Sequence, residues 1–125
     1  MNPVYLFFFL VTAGINSIAQ LLLKRGSQDL GVIFASSESW LVRIFKIFSN
    51  PYVMGAALAL AGGMIVWLKL ISKVELSRAY PANIALTIII TSVASIFLFQ
   101  EYFTLLKFTG TVLIIAGLWL ILLNA

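Results

Sequence analysis

Apolar residues run without a single charge through four stretches of the chain, residues 1–23, 50–68, 79–100 and 108–125. A helix that crosses a bilayer needs about 20 such residues. Lipid offers the backbone no hydrogen-bond partner, so only helices or a closed barrel can span it, and these runs lack the alternation of barrel strands. The pattern predicts an all-α membrane protein with a single domain of four transmembrane helices, over about residues 3–24, 51–71, 79–100 and 104–124. The first run lacks a basic leading region and a small-residue cleavage site, so it reads as a span and not as a signal peptide.

Between the first two spans the period changes. Trp40, Leu41, Ile44, Phe45 and Phe48 share one face, with Arg43 and Lys46 elsewhere. This predicts a short basic amphipathic interfacial helix over residues 39–49, lying at headgroup level and closed by Asn50-Pro51. The competing reading is an extension of the second span, bent at Pro51. After Lys24-Arg25-Gly26, the stretch with Asp29, Gly31 and Ser36-Ser37-Glu38-Ser39 reads as the longest loop. Connections around residues 72–78 and 101–107 are short, so consecutive spans are expected to pack antiparallel.

Composition sharpens this picture. The chain is 62% hydrophobic and 10% charged, against about 45–50% and 25% in soluble domains. That excludes a soluble enzyme or a nucleic-acid-binding module. With no Cys and no His, disulfides, thiolate catalysis, zinc sites and histidine triads are ruled out, and no cofactor or metal is expected. The net charge of +4 is too sparse for a DNA footprint and points to lipid headgroups or topology. Lys24, Arg25, Arg43, Lys46 and Lys107 fall on one side of the membrane; Lys69, Lys73 and Arg78 fall on the other with both termini. This is a weak orientation bias.

Polar residues inside the spans mark candidate chemistry. Thr12, Asn16, Gln20 and Lys24 are spaced by four and form one drifting face of the first helix, with Ser17 beside it. In the third span Tyr80, Asn83, Thr87, Thr91 and Ser95 also share a face. Asn and Gln are expensive in hydrocarbon unless paired, so these faces must look into the bundle. Thr87, Thr91 and Ser95 read as interhelical hydrogen-bond glue; Asn16 and Gln20 read as lining. Gly55, Ala59 and Gly63 in the second span, with Gly62 adjacent, and Gly110 and Gly117 in the fourth read as packing seams. Lys69 and Lys73 read as snorkelling cations, whereas Lys24 and Arg78 adjoin the polar faces and can pair a phosphate. All four acids, Asp29, Glu38, Glu75 and Glu101, lie outside the spans. Proton-coupled export of a cation needs a carboxylate near the midplane, and none is there.

These residues also carry a resemblance. Ala19-Gln20-Leu21-Leu22-Leu23-Lys24-Arg25-Gly26 resembles the end of the first helix in the drug/metabolite transporter superfamily. Glu75-Leu76-Ser77-Arg78-Ala79-Tyr80-Pro81-Ala82 resembles the start of its third helix, Phe99-Gln100-Glu101 its acidic turn, and the run from Gly110 to Gly117 its closing glycine pattern. The likeness runs nearly end to end with the small-multidrug-resistance-like four-helix branch. Drug exporters of that branch carry a glutamate eight residues before the lysine; here that position is Asn16. The chain is closer in character to the subunits that flip aminoarabinose-phosphoundecaprenol. The resemblance implies the bacterial inner membrane and pairing through the fourth helix, as a homodimer or as a heterodimer with a related four-helix chain.

The expectation is a flippase for a polyprenyl-phosphate-linked sugar or similar amphiphilic anion. Asn16, Gln20, Tyr80 and Asn83 would pass the headgroup, and Lys24 and Arg78 would pair the phosphate. Two alternatives stay open. One is a cation/proton exporter that contacts an aromatic cation through Tyr80, Trp67 and Asn16. The other is a non-transporting assembly subunit of a membrane glycosyltransferase.

Overall fold

The computed structural model describes residues 2–123. Five helices follow in order: α1 (Pro3–Phe34), α2 (Trp40–Ser49), α3 (Pro51–Ile71), α4 (Leu76–Phe99) and α5 (Leu105–Leu123). All but α2 are long and apolar enough to cross a membrane. Asn124, the last residue of the expected fourth span, lies outside the described residues.

Local chemistry sets the helix ends. The Asn2 side chain accepts a hydrogen bond from the Val4 amide at 3.0 Å, and Pro3 follows it at the first helical position. Asn50 repeats the device for α3, accepting from the Tyr52 and Val53 amides at 2.9 and 3.3 Å, with Pro51 next. Pro81 sits inside α4 and removes one N–H from its second turn. The chain leaves α4 through Gln100 in the left-handed region, at φ 52°.

The stretch after Lys24 differs from its expected loop. α1 continues without a break to Phe34, and only residues 35–39 connect it to α2. Gly26 and Leu30, one turn apart, are both buried. A methyl group at Gly26 would lie 2.9 Å from Val53 Cγ2, 3.3 Å from Asn50 Oδ1 and 3.4 Å from Tyr52 Cβ. Tertiary packing against the start of α3 thus holds as helix a stretch whose polar residues suggested a loop. In α2, Lys46 pairs with Glu38 at 2.6 Å, the Arg43 guanidinium donates to the Ser36 carbonyl, and no residue is buried.

The body of the molecule is α1 clasped by α3 and α4, while α5 packs chiefly on α4. Ala13, Ala19, Ala56 and Ala79 are completely buried, and Phe9, Leu70, Ala79 and Ala82 form one cluster. Small side chains let the backbones approach, since lipid provides no hydrophobic drive between helices. The expected α3 seam is tight at Gly63, where a methyl group would meet Ile15 Cγ2 at 2.9 Å, and open at Gly62. At Gly110 and Gly117 a methyl group would meet nothing within 4 Å beyond its chain neighbours and the helix's own backbone, among the described residues. The Lys69 ammonium does more than snorkel: it sits 5.2 Å from the centre of the Phe8 ring.

Candidate functional site

The clasp leaves a cavity of about 240 Å³ between its three helices. Thr12 and Asn16 line it from α1, Leu60, Gly63, Met64 and Trp67 from α3, and Tyr80 and Asn83 from α4. Sequence spacing explains the convergence. Thr12 and Asn16 are one turn apart on α1, Gly63 and Trp67 one turn apart on α3, and Tyr80 and Asn83 nearly so on α4. Gly63 brings α3 so close that the ideal position of its missing methyl is 3.9 Å from Asn16 Oδ1.

Asn83 is 7% exposed, and its Oδ1 lies 3.0 Å from the Thr12 hydroxyl. The same hydroxyl is 2.9 Å from the Phe8 carbonyl and 3.0 Å from that of Phe9. It has one proton for three acceptors, so the Thr12–Asn83 bond can be given up without leaving the hydroxyl unsatisfied. The Ser17 hydroxyl bonds the Ala13 carbonyl at 2.7 Å and reaches across to the Thr87 carbonyl at 3.4 Å. The hydroxyls expected to act as glue behave differently. Thr87 bonds the Asn83 carbonyl at 2.8 Å and Ser95 the Ser92 carbonyl at 3.0 Å, both within α4. Thr91 Oγ1 is buried and finds no partner among the described residues.

The sequence-selected residues thus divide. Asn16, Tyr80 and Asn83 meet at the cavity; Gln20, Lys24 and Arg78 do not line it. Gln20 is exposed, one turn along α1 toward Lys24. Lys24 Nζ lies 3.6 Å from Glu101 Oε1, joining the middle of α1 to the connection between α4 and α5. Arg78 Nε lies 3.6 Å from Glu75 Oε2. Arg78 also lines a separate pocket of about 300 Å³ with Lys73, Glu75 and Tyr5. Both cations considered for a phosphate therefore already face a carboxylate. Thr12 and Trp67 also line the cavity but were not on the expected headgroup path. Thr12 lies on the polar face of α1 that carries Asn16, and Trp67 was read only as a contact for an aromatic cation; its one-turn offset from Gly63 was the available signal.

None of the acids lines the cavity. Asp29 lies in the outer part of α1, Glu38 holds Lys46, and Glu75 and Glu101 flank the two ends of α4. The site can donate and accept neutral hydrogen bonds and offer ring faces, but it holds no fixed charge.

This is a small multi-pass membrane protein whose helices line an open, uncharged cavity with a few polar groups. No family model matches the chain. No solved structure matches it. Curated relatives do. It is 34% identical over 117 residues to flippase subunit ArnF of Photorhabdus laumondii, covering 90% of this chain and 91% of that protein. It is 31% identical over 109 residues to ArnF of Serratia proteamaculans, covering 84% and 82%. It is 29% identical over 121 residues to a Pseudomonas aeruginosa protein named "Probable 4-amino-4-deoxy-L-arabinose-phosphoundecaprenol flippase subunit ArnE", covering 97% and 96%. The chain belongs to the family of ArnE/ArnF-type flippase subunits.

Proposed function

We propose that the chain is one subunit of a dimeric flippase in the bacterial inner membrane, moving a polyprenyl-phosphate-linked amino sugar and breaking no bond. The observation that carries this reading is the cavity itself, with amide, hydroxyl and indole groups and no carboxylate among them. Sugar hydroxyls would exchange hydrogen bonds with Thr12, Asn16, Tyr80 and Asn83, while the Trp67 ring covers an apolar face of the sugar. Pockets that bury a whole drug-sized ligand measure roughly 300–1,000 Å³. A cavity of about 240 Å³ suits a sugar headgroup, with the prenyl chain left in lipid and a second subunit completing the enclosure. The relatives' names supply the sugar class and the word subunit.

Lys24 and Arg78 take the phosphate in this reading, with Gln20 on the path between the cavity and Lys24. Each cation would exchange its carboxylate, Glu101 or Glu75, for the phosphate oxygens, an exchange between two charge-assisted partners.

Reconstituted vesicles test this. Asn83→Leu and Asn16→Leu should each slow translocation of the sugar lipid about tenfold, the effect of losing one well-made hydrogen bond to a substrate in a dry site. Unchanged rates in both would remove the cavity from the pathway. Unchanged rates in both Lys24→Ala and Arg78→Ala would remove the phosphate pairing. A second reading draws on Trp67 and Tyr80, whose rings both line the cavity and could hold an aromatic cation. Proton release on adding a quaternary ammonium compound would favour that exporter; silence favours the flippase.

A further inference from the structure

A groove of about 350 Å³ runs along a different face of α1, lined by Ile18, Leu21, Leu22 and Arg25 with Tyr52 of α3 and Leu98 and Phe99 of α4. Arg25 follows Asn16 by nine residues, or about two and a half helical turns, so the groove and the central cavity lie on opposite sides of α1. Three markers put the Arg25 end at headgroup depth: the Lys24-Arg25 pair on α1, the Asn50 cap that starts α3 and the Gln100 residue that ends α4. From there the groove descends past Ile18, about 10 Å into the apolar zone at 1.5 Å per residue. Its walls below Arg25 and Tyr52 are entirely aliphatic or aromatic.

The charge at its mouth differs from the neighbouring cations. Lys24 faces Glu101, and Lys46 holds Glu38. Arg25 has no carboxylate within ion-pairing distance among the described residues; even Asp29, one turn further on, is beyond that reach. Its guanidinium carbon instead lies 5.8 Å from the centre of the Tyr52 ring. That contact orients the planar group without neutralising it. A cation at the interface, set above a hydrocarbon groove, complements a molecule with an anionic phosphate at the end of an acyl chain.

We infer that this groove is a binding site for a resident anionic glycerophospholipid of the phosphatidylglycerol class. The phosphate pairs with Arg25 beside the Tyr52 hydroxyl, and one acyl chain lies along Ile18, Leu21 and Leu98. The occupant is a resident lipid and not the flipped cargo, because the groove opens on the side of α1 away from Asn16 and Asn83. The choice of a resident lipid over the cargo rests on the proposed cargo path through Asn16 and Asn83.

Native mass spectrometry of the full chain, extracted from membranes that mix phosphatidylglycerol and phosphatidylethanolamine, tests it. The wild type should retain phosphatidylglycerol preferentially. Arg25→Ala should lower that retention about tenfold, as expected for loss of a charge-assisted phosphate contact. Ile18→Trp, which fills the groove and leaves Arg25 in place, should lower it as well, while Lys73→Ala at the other end of the molecule should not. Equal retention by wild type and both groove variants overturns the site. Equal losses in Arg25→Ala and Lys73→Ala reduce it to general charge attraction. Displacement of phosphatidylglycerol from the wild type by a polyprenyl phosphate, absent in Arg25→Ala, would overturn the assignment to a resident lipid and give the groove to the cargo.

Discussion

The clasp of α1, α3 and α4 and the outer helix α5 are all apolar enough to cross a membrane, yet they pack differently. In the clasp, alanines disappear entirely from the surface and two glycines are pressed against neighbouring side chains. In α5 no residue is buried, and the glycines meet nothing. The most apolar stretches of the four spans have mean hydropathies of 2.0, 1.9 and 2.2 in the clasp and 2.1 in α5, so hydropathy alone does not separate them. In lipid the exposure of Leu or Ile carries no penalty, and helices stay together only where shape allows close contact. The clasp buries its small residues within one chain; α5 presents a surface that one chain does not use.

The largest effect that would break this contrast is at Gly26. Its ideal methyl position is hemmed by Val53 Cγ2, Asn50 Oδ1 and Tyr52 Cβ, at 2.9 to 3.4 Å. The Tyr52 Cβ is fixed to the backbone, and Asn50 is engaged as the α3 cap, so neither can retreat cheaply. Gly26→Val should destabilise the fold by about 3 kcal/mol, the upper part of the usual overpacking range. Chemical denaturation in detergent, followed by circular dichroism, would measure it. A loss no greater than that of an exposed-site substitution would mean that α1 does not pack on α3 at this point.

Gly63→Ala comes next, at about 1–2 kcal/mol by the same measurement. A single neighbour, Ile15, stands at 2.9 Å, and its methyl group can move only as far as a stiff β-branched side chain permits. The same substitution narrows the cavity beside Asn16, so translocation should fall more than stability does. Equal losses in both would make Gly63 a packing residue alone.

The tie between the two regions is smaller still. Lys24 and Glu101 join α1 to the connection leading into α5, with side chains 49% and 40% exposed. Solvent screens such a pair, and Glu101→Gln should change stability by less than about 1 kcal/mol. If the pair guards a phosphate site, the variant should nevertheless shift the salt dependence of translocation. An unchanged salt profile would leave the contact as an ordinary surface ion pair.

Much of this architecture was legible in the sequence because lipid makes simple demands. Uncharged runs of the right length announce helices, and Asn50-Pro51 announces the break between α2 and α3. Because an amide in hydrocarbon must find a partner, Asn16 and Gln20 stood out as lining; Asn16 lines the cavity, whereas Gln20 is exposed and does not. The outer part of α1 was not legible, since Ser27, Gln28 and Asp29 look like a loop until the α3 residues that pack on Gly26 are known. The hydroxyls of Thr87 and Ser95 misled for a related reason. A hydroxyl in a helix can always turn back to a carbonyl one turn earlier, and sequence does not say whether a better partner is near. Lys24 and Arg78 adjoin the polar stripes in sequence, but they do not line the cavity, and each faces a carboxylate placed at an end of α4.

The smallest expected effect is also the most discriminating, because its sign depends on what covers α5. Gly117 lies in a helix interior, and beyond its chain neighbours and its own helix backbone nothing among the described residues comes within 4 Å of its ideal methyl position. In an isolated chain Gly117→Ala adds a methyl group to open space and removes glycine's backbone entropy, a gain of about 0.5–1 kcal/mol. Where a second chain packs its helix into the groove beside Gly117, the same methyl group stands in the contact and the gain becomes a loss. Two measurements on one variant separate the cases. Stability of the monomer in dilute detergent should rise slightly, while dimer recovery at high density in bilayers should fall. A rise in the first with no change in the second would show that pairing does not run through this face, leaving α5 as a wall against lipid.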